Sequence, residues 1–270
     1  MKPIIFSDID GTFLNYDDYN FNSLNNYISD IKTKCHIIFT SSKTFNEIKD
    51  LNKKLNIDYP FIVENGACIF FPKSYFKFIH LNSNFFSYKG YKGHLIKDVN
   101  LVDIKKLINP LKTFFKFNYL SKINTIELSK ITGLKVSETK NAKKRMFTDP
   151  IYWMDSEKKK KKFENEINLM GLKIEFGGRF MHVSQNFNKG MAVKQFLKII
   201  NIKNNFITIS LGDSQNDLSM LNLTDYSCVI KSKKKLDLKK SKNKYYSKII
   251  APEGWKESLD YIFKKEKIYF

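Results

Sequence analysis

The chain has 270 residues, 42% of them hydrophobic and 15% aromatic, enough for a large buried core and too apolar for a disordered chain. Its 47 Lys and Arg against 27 Asp and Glu give a net charge of +20, yet Arg occurs only at Arg145 and Arg179 while Lys runs through the whole chain. The excess therefore reads as compositional bias that draws anionic substrates inward, and neither a nucleic-acid nor a membrane partner is expected. Three cysteines without a CxxC spacing and four scattered histidines speak against a disulfide framework or a structural zinc site.

The first residues, MKPIIFSDID, bring acids before any signal-peptide apolar region can form. The apolar stretches fall far short of the roughly 20 residues of a membrane helix. A cytoplasmic protein is the expectation. Residues 3–7 read as a buried strand, 22–32 as a helix and 35–39 as a second strand. Thr44 with Glu47 three residues on gives a capping-box start for a helix over 44–55. Residues 61–64 form a third strand, and Asn65-Gly66 turns the chain into a return over 67–71. This β-α-β-α-β rhythm implies a parallel sheet with right-handed crossovers.

From about residue 82 to 187 the chain is mixed and Lys-rich, with helices expected over 101–115 and from Ser156 to Met170, and strands over 172–176 and 179–184. Lys158 to Lys162 read as a solvated helix face. This stretch reads as an inserted α+β domain, with residues 1–81 and 188–270 forming the core. The β-α rhythm resumes with a helix over 190–200, a strand over 206–211, a short helix from 217, a strand over 226–230 and a closing helix over 253–263. The pattern leaves residues 231–244 open.

Asp8-Ile9-Asp10-Gly11-Thr12 follows the first strand directly. Carboxylates at i and i+2 face the same side of an extended chain, at the sheet end where α/β proteins bind ligands. A bare DxD also suits acids that cap a turn. Gly212-Asp213-Ser214-Gln215-Asn216-Asp217 repeats the pattern after another strand, and taken alone it too reads as a turn with a helix cap. Together the clusters place four acids near one point. One such pair 4 Å apart repels by about 4 kcal/mol at an effective dielectric of about 20, which a bound cation or proton uptake relieves. Carboxylates and a backbone carbonyl suit Mg²⁺. Lys189 opens the resumed core helix. Ser41-Ser42-Lys43-Thr44 at a helix start is either a phosphate cradle or a plain N-cap.

The ordered set of DxDGT, Ser41, Lys189 and GDSxND resembles the haloacid dehalogenase (HAD) phosphatase signature. That resemblance implies a Rossmann-like α/β core with a C2-type cap between the third strand and Lys189. It implies Asp8 as nucleophile, Asp10 as acid and base, and Ser41 with Lys189 on the transferring phosphoryl group. Asp8, the Asp10 carbonyl and Asp213 would hold Mg²⁺, with Asp217 supporting the metal site or orienting Lys189. Finer strings resemble the mannosyl-3-phosphoglycerate phosphatases: Ser41 to Thr44, Pro60 to Ala67, Arg145 with Phe147 to Ile151, and Gly177-Gly178-Arg179-Phe180 with His182. They imply a small anionic glycosyl-3-phosphoglycerate as substrate, with Ser42, Lys43, Asn65, Arg145, Arg179 and His182 as further binding candidates. Cys68 stands where that branch tends to have a small residue. Other readings are a sucrose- or hexose-phosphate phosphatase, a phosphomutase, and, in a different class, a basic module that binds nucleic acid or an anionic surface.

Overall fold

The computed structural model describes residues 2–80, 84–98, 100–177, 179–185, 187–200, 206–233, 236–238 and 243–268. The expected core–insert division at residues 81 and 82, and Gly178 of the GGRF string, lie outside the described residues.

Strand β1 (Ile4–Ser7) is buried along its whole length. Its alternation sends Ile5 into one core cluster and Ile4 with Phe6 into another on the opposite face, as a strand covered on both sides requires. Helix α1 (Asn25–Ile31) leads to strand β2 (His36–Phe39), and α2 (Phe45–Lys54) to β3 (Phe61–Val63). The Thr44–Glu47 capping box is present at the start of α2, with each side chain bonded to the other residue's backbone N–H. A turn with Glu64, Asn65 and Gly66 at positive φ returns the chain into β4 (Cys68–Phe71), antiparallel to β3.

Strands β5 (Phe85–Tyr88) and β6 (Tyr91–Leu95) then extend that hairpin, with β6 pairing against β4. They lie in the stretch whose sequence pattern reads as inserted. Helix α3 (Leu101–Ile108) ends short of the expected residue 115 and gives way to a 3₁₀ turn over Asn109–Thr113. Pro110 lacks the N–H that would continue the α-helical hydrogen-bond ladder.

Strand β7 (Phe117–Tyr119), helices α4 (Thr125–Thr132) and α5 (Val136–Ala142), strand β8 (Ile151–Trp153), helix α6 (Glu157–Leu169) and strands β9 (Lys173–Gly177) and β10 (Phe180–Ser184) follow. Here β7, β8, β10 and β9 form an antiparallel sheet in that order. Ile104 and Ile108 of α3 and Phe163 and Ile167 of α6 pack on its Phe117, Ile151 and Met181. This is a cap with its own core. The lysine run of α6 is mostly exposed, opposite the buried Phe163 and Ile167.

Helix α7 (Lys189–Ile199), strand β11 (Thr208–Gly212), helix α8 (Leu218–Leu221), strands β12 (Tyr226–Lys231) and β13 (Asn243–Ile250) and helix α9 (Glu253–Lys265) complete the chain. Among the described residues the central sheet is parallel, in the order β13-β12-β11-β1-β2, and a bridge from Thr40 to Ile62 continues it toward β3. The chain winds outward from β1 through β2, then crosses over to β11 on the other side. The switch point therefore falls between β1 and β11, and a crevice opens there at the carboxyl ends of the strands.

Candidate active site

Asp8 and Asp213 leave the ends of β1 and β11 on the two sides of this switch point. Gly11 takes φ +81, which a side chain rarely adopts, and a Cβ there would stand 2.9 Å from Asp213 Oδ2. Thr12 Oγ1 donates to Asp213 Oδ1 at 3.0 Å. The Gly-Thr of DxDGT thus folds the first loop tightly against the second. Behind the first loop, Trp255 Nε1 donates to Ser7 Oγ, and Ser7 Oγ donates to the Asp8 carbonyl.

The fully buried Lys189 donates to Asp8 Oδ1 at 2.5 Å and to Asp217 Oδ1 at 2.6 Å. Burial by itself would lower its affinity for a proton, but Asp217 and Asp8 outweigh this and hold it above the usual lysine range. Burial pushes Asp8 up to about 7, against the pull of Lys189. Burial, then the charges of Asp217 and Asp8, push Asp213 up to about 8.

Asp217 is wholly buried, and its Oδ2 accepts from the backbone N–H groups of Asp213 and Ser214 and from Ser214 Oγ. It builds the GDSxND loop and aims Lys189. Oxygens of Asp8, Asp213 and Asp217 lie within 4.8 Å of one another. Among the described residues, Oδ2 of Asp8 and Oδ2 of Asp213 accept no hydrogen bond. Two buried carboxylates, both pushed upward and each with an open oxygen, fit a hard divalent cation.

Asp10 Oδ2 pairs with Lys43 Nζ at 2.9 Å, while its buried Oδ1 has no partner among the described residues. Lys43 also faces Glu47 at 3.6 Å and the Tyr19 ring at 5.4 Å. Burial would weaken its hold on a proton, but Asp10 and Glu47 keep it charged, above the usual lysine range. Ser41 and Asn65 are buried and pinned together, with Asn65 N donating to the Ser41 carbonyl and Asn216 Nδ2 to Asn65 Oδ1.

A cavity of about 390 Å³ opens over this floor, lined by Asp8, Asp10 and Asp213 and by Ser42 and Lys43 of the loop after β2. Cap residues Arg145, Arg179 and His182 line it from the other side. Arg145 donates to the Ser42 carbonyl at 2.9 Å and to the Thr148 hydroxyl at 2.8 Å, so it spans cap and core. Arg179 is exposed and donates to the Ile131 carbonyl. His182 is pushed down to about 3 by burial, with Arg145 and Lys189 adding to the effect, so its ring is neutral. The structure thus brings Asp8, Asp10, Asp213, Asp217 and Lys189 into one cluster and sets Ser42, Lys43, Arg145, Arg179 and His182 around the cavity. Ser41 and Asn65 are buried and are not among the residues that line the cavity.

Sequence reasoning gave Glu47 only as a helix-cap partner and Glu64 only as part of the Pro60–Ala67 string, and it missed Glu175. Glu175 is pushed up to about 7 by burial, with Lys189 pulling it down and Asp217 pushing it up. It sits on β9 directly across from His182 of β10. Pairing the two strands about their turn would have placed it beside a candidate residue.

The profile of the haloacid dehalogenase-like hydrolases matches residues 5–248. The chain is 33% identical to the glucosyl-3-phosphoglycerate/mannosyl-3-phosphoglycerate phosphatase of Persephonella marina, over 95% of each chain. It is 33% identical to the enzyme of the same name from Methanococcoides burtonii, over 99% of this chain and all of that one. A crystal structure of a Thermoplasma acidophilum protein superposes over both full chains with a TM-score of 0.68 at 16% identity.

Proposed function

The chain belongs to the haloacid dehalogenase-like hydrolases and is a phosphatase, and from that premise we propose that it cleaves mannosyl- or glucosyl-3-phosphoglycerate to glycosylglycerate and phosphate, with Mg²⁺ as cofactor. One observation carries the reading. A single cavity sets Asp8, held by Lys189, and Asp10, held by Lys43, beneath the cationic cap residues Arg145 and Arg179. The names of the relatives support the substrate class. That class carries a phosphate at one end and a carboxylate near the other, which suits cations on both floor and roof. We also read the enzyme as cytoplasmic, in keeping with its buried free cysteines.

In this reading the Asp8 carboxylate attacks phosphorus and the bond from phosphorus to the glycerate oxygen breaks. Asp10 serves as the acid that delivers a proton to the departing alkoxide. Asp10 then takes a proton from the water that attacks the aspartyl phosphate. The bond between phosphorus and Asp8 breaks, and free phosphate and the Asp8 carboxylate are restored. Lys189 offsets the charge that gathers between Asp8 and the phosphoryl oxygens, at a position fixed before substrate arrives. When bound by Asp8, the Asp10 carbonyl and Asp213, Mg²⁺ supplies further charge neutralisation at those oxygens.

The test is phosphate release from mannosyl- and glucosyl-3-phosphoglycerate, sucrose 6-phosphate and hexose phosphates, with Mg²⁺ and with EDTA. The expected result is Mg²⁺-dependent turnover of a glycosyl-3-phosphoglycerate well above the other esters. Release from the other esters alone would overturn the substrate. Phosphoryl return to sugar under an activating bisphosphate would replace hydrolysis by mutase chemistry.

A further inference from the structure

Glu64 lies outside the cavity lining, yet it joins the two sides of the site. It follows β3 with φ 50 and its side chain is fully buried. Among the described residues its carboxylate accepts four hydrogen bonds, all from one cap segment. Oε1 accepts from Met146 N at 2.8 Å. Oε2 accepts from Phe147 N at 3.1 Å, Thr148 N at 2.7 Å and Thr148 Oγ1 at 2.7 Å. Arg145 Nε stands 3.7 Å from Oε2.

The same segment reaches the core a second time. Arg145 Nη2 donates to the Ser42 carbonyl at 2.9 Å, and the N–H of Glu64 itself donates to the Lys43 carbonyl at 3.0 Å. One buried carboxylate therefore ties residues 145–148 of the cap to residues 42 and 43 of the phosphate-side loop. The charge of Glu64 is met by three consecutive backbone N–H groups, a hydroxyl and a nearby guanidinium, which is what makes a buried carboxylate tolerable. Remove the acceptor and those N–H groups are buried without partners, which a folded chain tolerates poorly. The segment would then shift to find water, taking Arg145 with it.

We propose that Glu64 is a positioning residue. It sets Arg145 in place against the core, so that Arg145 meets the part of the substrate that does not react, its glycerate carboxylate. This rests on the glycosyl-3-phosphoglycerate reading given above. Glu64 acts on substrate discrimination and leaves the chemistry at Asp8 in place.

The experiment compares kcat and KM of wild type and Glu64→Gln on two substrates. One is the better glycosyl-3-phosphoglycerate. The other is phenyl phosphate, which has no carboxylate for the cap to grip. The expected result is a fall of at least about tenfold in kcat/KM for the glycosyl ester, carried by KM, with less than about threefold change for phenyl phosphate. Equal losses on both substrates would make Glu64 merely structural and overturn the proposal, as would no loss on either. Should Glu64→Gln fail to fold in a urea titration, Glu64→Asp, which keeps the charge but withdraws the carboxylate from the cap segment, is expected to show the same selective loss; a loss shared by both substrates, or none, overturns the proposal. If wild type turns over phenyl phosphate but no glycosyl-3-phosphoglycerate, the substrate reading falls. The role of Glu64 is then decided on the best carboxylate-bearing phosphate ester, where an unselective Glu64→Gln sinks it. If wild type hydrolyses no ester, both fall.

Discussion

Replacing Asp8 by Asn is expected to abolish phosphate release while making the metal-free protein more stable at pH 8. Asp8 is 6% exposed, and burial pushes its carboxyl from the ordinary 3.8 to about 7, with Lys189 resisting. Between those two values the native protein holds a proton that the unfolded chain has lost. Stability therefore falls as pH rises through this window and levels off above about 7. An offset of about three units, at about 1.4 kcal/mol per unit, puts a ceiling of about 4 kcal/mol on the cost of ionised Asp8. Asn keeps the shape without the charge. Against that gain, Lys189 exchanges a charge-assisted bond of about 1.5–3 kcal/mol for a neutral one of about 1 kcal/mol and keeps Asp217. A net gain of up to about 2–3 kcal/mol at pH 8 is expected, shrinking to nothing near pH 4. Urea unfolding followed by circular dichroism, in EDTA at pH 4, 6 and 8, measures it. A D8N protein less stable than wild type at pH 8, or a difference that ignores pH, would refute the idea that function keeps a costly charge buried here.

Lys189→Met removes the cation that both Asp8 and Asp217 face, so urea titration at pH 8 should show a deficit of about 3–5 kcal/mol. Its kcat/KM should fall at least about 100-fold, and activity within threefold of wild type would contradict the placement of Lys189 on the transferring phosphoryl group. Gly66 has φ +95, and a Cβ on it would stand 2.3 Å from the Asn188 carbonyl oxygen and 2.9 Å from Lys189 N. Gly66→Ala should therefore destabilise by about 2 kcal/mol or more and lower activity by moving the start of α7; an Ala variant with an unchanged urea midpoint would deny the contact. His182 stays neutral in the fold down to about 3, whereas the unfolded chain protonates it near 6.5. Acidification below 6.5 thus erodes stability by about 2 kcal/mol at pH 5, a slope that His182→Gln should remove from a stability profile between pH 7 and 5.

Much of the catalytic floor was legible because its chemistry is local in the chain. Asp8 and Asp10 are two apart on one extended segment, so backbone geometry alone sends them to the same side. Gly11 is required by a turn within that loop and Thr44–Glu47 by the helix beginning there, so neighbouring residues carry the whole signal. The α/β rhythm placed both acid clusters at strand ends, and strand ends of a parallel sheet share one edge.

What the tertiary structure alone decided is which distant groups meet. That Asp213 stands beside Asp8 follows from β11 pairing with β1, a choice made by burial of both strands and not by any local motif. Lys43 answers Asp10 because β2 lies on the other side of β1. The hairpin β5–β6 joins β4, and β13 adds an edge, where the polar pattern of each stretch carried no comparable signal. Glu64 and Met146 are 82 residues apart, and Glu175 comes near Lys189 through the docking of a cap strand. Short-range sequence dictates turns, caps and strand faces, since these depend on a few dihedral angles. The pairing of charges across sheet and cap depends on which apolar surfaces bury each other, and only the folded chain resolves that choice.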